Sequence, residues 1–247
     1  MIIDNKIKGI ILAGGSGSRL SPLTRVISKQ LLPVYDKPMI YYPLETLIKS
    51  GINDILIITT ENDLKNFEIL LGNGDEWNIN LSYKVQKKPE GIAQALIIAE
   101  EWINQSPVVL ILGDNLFFGP NLDQVIFTAI NKNEGATIFC KEVVDPNRFG
   151  VVSIDQNFNI LAIDEKPKRP KSNYAVTGLY IYDENVSMYA KELKKSERGE
   201  LEITDLNKIY LNKNKLLANF LTKEHLWLDS GTFDTLLEAS NYVKSIS

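Results

Sequence analysis

The amino-acid sequence predicts an α/β fold: a doubly wound, mostly parallel, Rossmann-like sheet with further strands added over its second half. Three observations predict it. Short continuous apolar runs, at Lys8 to Ala13, Asp54 to Thr59 and Val108 to Leu112, read as strands buried on both faces. Segments of helical spacing separate them, which is the alternation of a parallel sheet wrapped on both sides. After Ala136 that alternation gives way to consecutive strand-like stretches with little helix between them.

Taken in order, the first strand ends in glycines after Ala13. Pro38 to Lys49 has helical spacing and stops at Gly51. The strand at 54–59 precedes a helix, Asp63 to Leu71, stopped by Gly72 and Gly74. Leu81 to Gln86 alternates as a strand, Ile92 to Ile103 reads as a helix, and the strand at 108–112 ends in Gly113-Asp114-Asn115. Strands are expected at 136–143, 149–154, 159–164 and 174–182. A two-helix stretch at 183–212, a short strand at 216–221 and a last helix at about 232–245 complete the chain. With no repeat and no Ser/Gly linker, residues 1–247 are expected to form one domain, with halves of about 1–135 and 136–247.

Composition narrows the chemistry. The 247 residues are 44% hydrophobic and 23% charged, which suits a globular chain with a sizeable core. A net charge of -4 offers no general surface for nucleic acid, though a few local cations suffice for a small anion. One cysteine, Cys140, and one histidine, His225, leave no internal disulfide and no His/Cys zinc site. Cys140 reads as a small core hydrophobe, and no nucleophile elbow supports a triad through His225. No run approaches the ~18 apolar residues of a membrane span, and the N-terminus does not read as a signal peptide. A cytoplasmic protein is expected.

In such sheets ligands bind at the carboxyl ends of the strands. There stands Leu12-Ala-Gly-Gly-Ser-Gly-Ser-Arg-Leu, followed by Lys29-Gln-Leu-Leu-Pro. Glycines let the backbone turn its N–H groups toward phosphate oxygens, and Arg19 and Lys29 can neutralise a polyphosphate. The glycines alone fit a plain turn equally well; the downstream cations favour a phosphate loop. It lacks the Gly-Lys-Ser/Thr ending of a Walker A loop, and Leu20 stands where a dinucleotide fold wants Gly or Ala. Asp114 and Asp229 form a second candidate, since Mg²⁺ takes one or two carboxylates plus water and phosphates. Either aspartate alone fits a turn or a helix cap.

Gly14-Gly-Ser-Gly-Ser-Arg-Leu with Ser28-Lys-Gln-Leu-Leu-Pro-Val-Tyr-Asp-Lys-Pro-Met-Ile-Tyr-Tyr-Pro resembles the opening of the bacterial glucose-1-phosphate thymidylyltransferases, of the sugar nucleotidylyltransferase family. The resemblance continues in order through Val85-Gln, Leu112-Gly-Asp-Asn, Arg148-Phe-Gly-Val-Val, Glu165-Lys-Pro, Asn173-Tyr-Ala-Val-Thr-Gly-Leu-Tyr, Arg198-Gly-Glu-Leu-Glu-Ile-Thr-Asp and Trp227-Leu-Asp-Ser-Gly-Thr. It implies transfer of a nucleotidyl group from dTTP to α-D-glucose 1-phosphate, with Mg²⁺ as cofactor, and an added-strand half that covers the sugar.

By the same resemblance Asp114 and Asp229 hold the metal, with Arg19 and Lys29 as the catalytic cations. Leu12, Ala13, Gly14, Gly15, Ser16, Gly17, Gln86 and Gly91 would bind the nucleotide. Gly150, Glu165, Lys166, Val176, Tyr180 and Arg198 would bind the sugar phosphate. A Gln amide carries a donor and an acceptor, which suits thymine or uracil and rejects cytosine by roughly 10⁴-fold. The thymine methyl is worth only about 1–3 kcal/mol, so uracil should be excluded less well. Lys168, Arg169 and Lys171 read as a solvated basic loop, and Tyr35, Tyr41 and Tyr42 as core packing. The chain resembles a short form without the C-terminal helical extension of the long enzymes, and a homo-oligomer, a dimer, is expected. Rival readings are the same reaction with UTP or a modified hexose 1-phosphate, a non-catalytic sugar-nucleotide sensor, and a Rossmann oxidoreductase.

Overall fold

The structure, a computed structural model, describes residues 7–15 and 17–247. In chain order its strands are β1 (Lys8–Ala13), β2 (Pro33–Val34), β3 (Lys37–Pro38), β4 (Asp54–Thr59), β5 (Asn80–Val85), β6 (Val108–Leu112), β7 (Asn115–Phe118), β8 (Ala136–Glu142), β9 (Gly150–Ile154), β10 (Ile160–Glu165), β11 (Tyr174–Tyr182), β12 (Leu216–Phe220) and β13 (Leu226–Asp229). The helices are α1 (Tyr41–Lys49), α2 (Leu64–Leu71), α3 (Gln94–Ile98), α4 (Glu100–Ile103), α5 (Leu122–Lys132), α6 (Val186–Glu192), α7 (Ile203–Asn212) and α8 (Phe233–Ile246).

Among the described residues β6, β1, β4 and β5 lie side by side and parallel, the first three as their continuous apolar runs demand. Successive side chains of these strands feed two cores. Ile11, Ile55, Ile57, Val109 and Ile111 pack with α1, α2 and α5 through Leu44, Leu47, Phe67, Leu71 and Ile126. Ile10, Leu56, Ile58, Val108 and Leu110 face the opposite way, onto Leu96, Ile103, Val186, Leu206 and Tyr210 of α3, α4, α6 and α7. Helices on both faces make the sheet doubly wound.

The second half adds its strands through β11, which runs antiparallel to β6, β8 and β9. Beyond them β12 pairs parallel with β8, and β10 antiparallel with β9. Along one edge β11 pairs with β6 from Leu179 to Tyr182, but with β9 only at Ala175. The two neighbours therefore part around Thr177 and Gly178, and a cleft opens between them. A separate two-stranded ribbon, β7 against β13, sets Asp229 opposite Asn115. Beneath α8 this ribbon joins Val34, Met39, Tyr42, Ala239 and Val243 in a small third core. No helix among the described residues is long and apolar enough to cross a membrane.

Most expected elements are present within a residue or two, and four points differ. Helix α1 begins at Tyr41 rather than Pro38, because Lys37–Pro38 pairs with Pro33–Val34 in a hairpin. Tyr35 is 49% exposed at positive φ in that hairpin, so it does not pack in the core as Tyr42 does. The helix expected over 92–103 is divided at Ala99 into α3 and α4. Helix α5 and the ribbon β7/β13 were not anticipated; each strand of the ribbon is four residues long, too short to show alternation.

Candidate active site

Because β1, β4, β5 and β6 are parallel, their carboxyl ends share one edge, and the chemistry-bearing loops leave from it. Gly14 and Gly15 follow β1, Gln86 follows β5, and Asp114 follows β6. After the loop, short 3₁₀ turns at Ser18–Leu20 and Lys29–Leu31 carry Arg19 and Lys29. Ser16, expected in the nucleotide loop, lies outside the described residues.

A cavity of about 430 Å³ occupies the cleft beside β11. Its lining brings together Arg19, Asp114 and Asp229 with Gly150, Glu165, Lys166, Val176, Tyr180 and Arg198, residues drawn from positions 19 to 229. Lys29 lies outside that lining but reaches it by donating to Asp114 Oδ2. Leu12, Ala13, Gly14, Gly15, Gly17, Gln86 and Gly91 stand apart, at the strand ends of β1 and β5 and the loop after β5.

The two aspartates titrate in opposite directions. Burial pushes Asp114 up, but the Lys29 charge and hydrogen bond outweigh it and hold the carboxyl below its ordinary value. Burial and then the Asp114 charge push Asp229 up, against the pull of Lys29, Arg19 and Arg148. Asp229 has no ion-pair partner among the described residues. A lone buried carboxylate beside a charged one fits a divalent cation, which relieves the repulsion.

One backbone and one side-chain hydrogen bond set this pair. The Ser230 N–H donates to the Asp114 carbonyl at 3.0 Å, and Asn115 Nδ2 donates to Asp114 Oδ1 at 3.2 Å. Gly231 makes room for Arg19: a Cβ there would stand 2.7 Å from Arg19 Nη2 and 3.1 Å from Asp229 Oδ1.

Across the cavity Arg198 is held by carboxylates, at 2.8 Å from Glu202 and 3.3 Å from both Glu165 and Glu200. Its Nη1 has no partner among the described residues, so donors remain for a phosphate. Lys166, 3.7 Å from Glu165, adds a second cation. Glu165 Oε2 also accepts from the Thr204 hydroxyl at 2.5 Å. Tyr180 is buried, and that burial, followed by the Glu165 charge, raises its hydroxyl far above the ordinary range and keeps it protonated. Gly150 keeps this end open: a Cβ would lie 3.1 Å from Thr204 Oγ1 and 3.5 Å from Glu165 Oε2.

At the other strand ends Gln86 is 3% exposed and donates from Nε2 to Gln94 Oε1 at 2.7 Å. Ala13 is fully buried, and its carbonyl accepts from the Thr59 hydroxyl at 3.3 Å. Gly91, at φ +105°, turns toward Leu201, whose backbone nitrogen would be 2.6 Å from a Cβ there.

Several lining residues escaped sequence reasoning as functional groups. Arg148 faces the aspartates, and Asn115 accepts from Trp227 Nε1 at 2.6 Å and from the Gly178 N–H at 3.1 Å. Thr177 lines the cavity with a buried hydroxyl that has no partner among the described residues. The signal that could have found them is their place in the motifs of the resemblance, Leu112-Gly-Asp-Asn, Arg148-Phe-Gly-Val-Val and Asn173-Tyr-Ala-Val-Thr, which marks the segments but not the roles.

The nucleotidyl transferase family profile matches residues 8–246. A glucose-1-phosphate thymidylyltransferase from Neisseria gonorrhoeae is 55% identical over 240 residues, which is 97% of this chain and 83% of that protein. A crystal structure from Bacillus anthracis, described as a candidate glucose-1-phosphate thymidylyltransferase in complex with sucrose, superposes with a TM-score of 0.90 at 45% identity, covering 98% of this chain and 96% of that one. UDP-glucose pyrophosphorylase complexed with UDP-glucose superposes with a TM-score of 0.86 at 26% identity, over 97% and 99% of the two chains.

Proposed function

This chain belongs to the nucleotidyl transferase family, and we propose that it joins dTTP to α-D-glucose 1-phosphate, giving dTDP-glucose and pyrophosphate. The observation that carries the reading is one cavity lined by Asp114 and Asp229 on one side and by Lys166 and Arg198 on the other. Such a site offers charge for two phosphate-bearing substrates at once. Identity of 55% to a thymidylyltransferase, against 26% to a UDP-glucose pyrophosphorylase, favours the thymidine nucleotide over UTP.

An oxygen of the sugar 1-phosphate attacks the α-phosphorus in line, and pyrophosphate leaves. The nucleophile is already an anion at neutral pH, so the site needs no general base. Positioning and charge neutralisation carry such a reaction. Lys166 and Arg198 hold the attacking phosphate. Arg19 and Lys29 offset the charge that gathers on the α-phosphate and the departing pyrophosphate. Asp114 and Asp229 would hold Mg²⁺, which would supply further neutralisation of phosphate charge. Glu165, Gly150, Val176 and Tyr180 enclose the sugar. Leu12 to Gly17 and Gln86 with Gly91 cradle the nucleotide. In this reading residues 1–135 supply the nucleotide half and 136–247 the sugar-phosphate half of one domain, joined through β11. The anomeric bond stays intact, so sugar configuration is retained.

The test is pyrophosphate release from glucose 1-phosphate and Mg²⁺ with each of dTTP, UTP, CTP, ATP and GTP. Fast release with dTTP and slower release with UTP support the reading. Equal release with all five, or none with any, contradicts it.

A further inference from the structure

Gln94, at the start of α3, sits behind Gln86 and controls which end of the Gln86 amide is free. Its Oε1 accepts from the Glu90 backbone N–H at 3.0 Å, and its Nε2 donates to Glu90 Oε2 at 3.2 Å. A backbone N–H can only donate and an ionised carboxylate only accept, so these two contacts fix the orientation of the Gln94 amide. An oxygen then faces Gln86 at 2.7 Å, and the Gln86 atom opposite must be its nitrogen. Reversing either amide would set donor against donor or acceptor against acceptor.

The Gln86 carbonyl oxygen is consequently turned toward the glycine loop after β1, where a side chain on Gly14 would collide with it. The lock is itself anchored. Glu90 pairs with Lys195 at 2.6 Å, and its carbonyl accepts from the Leu201 N–H at 2.7 Å.

We propose that Gln94 is a positioning residue for base selection: it holds Gln86 so that an acceptor faces the nucleobase, choosing bases with an N3–H and rejecting cytosine. The inference rests on the reading that Gln86 contacts the base of the nucleotide. A freely rotating glutamine could offer either end of its amide to either pyrimidine and would discriminate little. Thymine and uracil carry a hydrogen at N3, whereas N3 of cytosine is an acceptor.

The experiment measures kcat/KM for dTTP and dCTP, by pyrophosphate release, in wild type, Gln94→Met, Gln86→Leu and the double variant. The dTTP-to-dCTP ratio should fall about tenfold or more in Gln94→Met, with the dTTP loss mainly in KM. In the Gln86→Leu background the same change should leave the ratio unmoved. Gln94→Ala repeats the measurement should Gln94→Met fail to fold. An unchanged ratio in a folded Gln94 variant overturns the proposal. So does an equal fall in both backgrounds, which would mark a structural role only. Should the wild type release no pyrophosphate, the functional reading falls. Binding of dTTP and dCTP then gives the ratio, and equal values in wild type and variant overturn the positioning role.

Discussion

Asn115 Oδ1 accepts from the indole N–H of Trp227 at 2.6 Å, across the ribbon that sets Asp229 opposite Asn115. The same oxygen takes the Gly178 N–H at 3.1 Å, where β6 and β9 part, so one side chain ties three cavity walls together. Replacing Asn115 with Ala leaves two buried donors without partners, at about 1–3 kcal/mol each. Thermal or urea unfolding should show a loss of that size, with turnover reduced as well. Wild-type stability in the Ala variant would mean that the contact carries no weight.

Gly91 and Gly14 look alike in the sequence, yet their replacement should fail differently. Gly91 combines φ +105° with an approach to the Leu201 backbone that cannot yield, so Gly91→Ala should destabilise the fold by several kcal/mol, on the order of an overpacked core. At Gly14 the obstacle is the end of the Gln86 side chain, not backbone, and it can yield by giving up its bond to Gln94. Gly14→Ala should keep its melting temperature within a few degrees and lose nucleotide affinity instead, about tenfold in KM. Melting curves beside dTTP kinetics separate the two, and a reversed pattern contradicts the assignment.

The pH response of the sugar-phosphate end should run through Glu202. Burial raises its carboxyl, but hydrogen bonds from Arg198 and Ser196 outweigh burial and hold it below the ordinary carboxylate value. A depressed folded value means a stabilisation present above the unfolded value, about 4.3, and lost as pH falls through the folded one. Stability should therefore decline with acid below about pH 4.5, and Glu202→Gln should be less stable at neutral pH with a shallower decline. Parallel slopes in the two proteins, from melting temperatures at pH 3 to 7, would remove Glu202 from the account.

The alternation of strand and helical segments made β1, β4, β5, β6 and the helices between them legible, since β1, β4 and β6, buried on both faces, leave an unbroken apolar signature and β5 an alternating one. The C-terminal ends of those strands then located Gly14, Gln86 and Asp114. Other features needed the folded chain. The ribbon β7/β13 is too short to display a period, yet it brings Asp229 to Asp114, 115 positions apart in the sequence. Arg148, Glu202 and Thr177 stood inside motifs of the resemblance without a role of their own, because a cation, acid or hydroxyl has no evident task until its neighbours in the fold are known. Gln94 read as one polar residue of a helix, and only its bonds to Glu90 and Gln86 give it a direction.

The central claim, that Asp114 and Asp229 together serve one divalent cation in a phosphate-transfer site, is tested most directly by Mg²⁺ titration of pyrophosphate release. Wild type, Asp114→Asn and Asp229→Asn would be compared with saturating dTTP and glucose 1-phosphate. Each variant should lose at least about a hundredfold in turnover at limiting Mg²⁺ and recover in part as Mg²⁺ is raised. Wild-type turnover and an unshifted Mg²⁺ dependence in either variant would contradict the account.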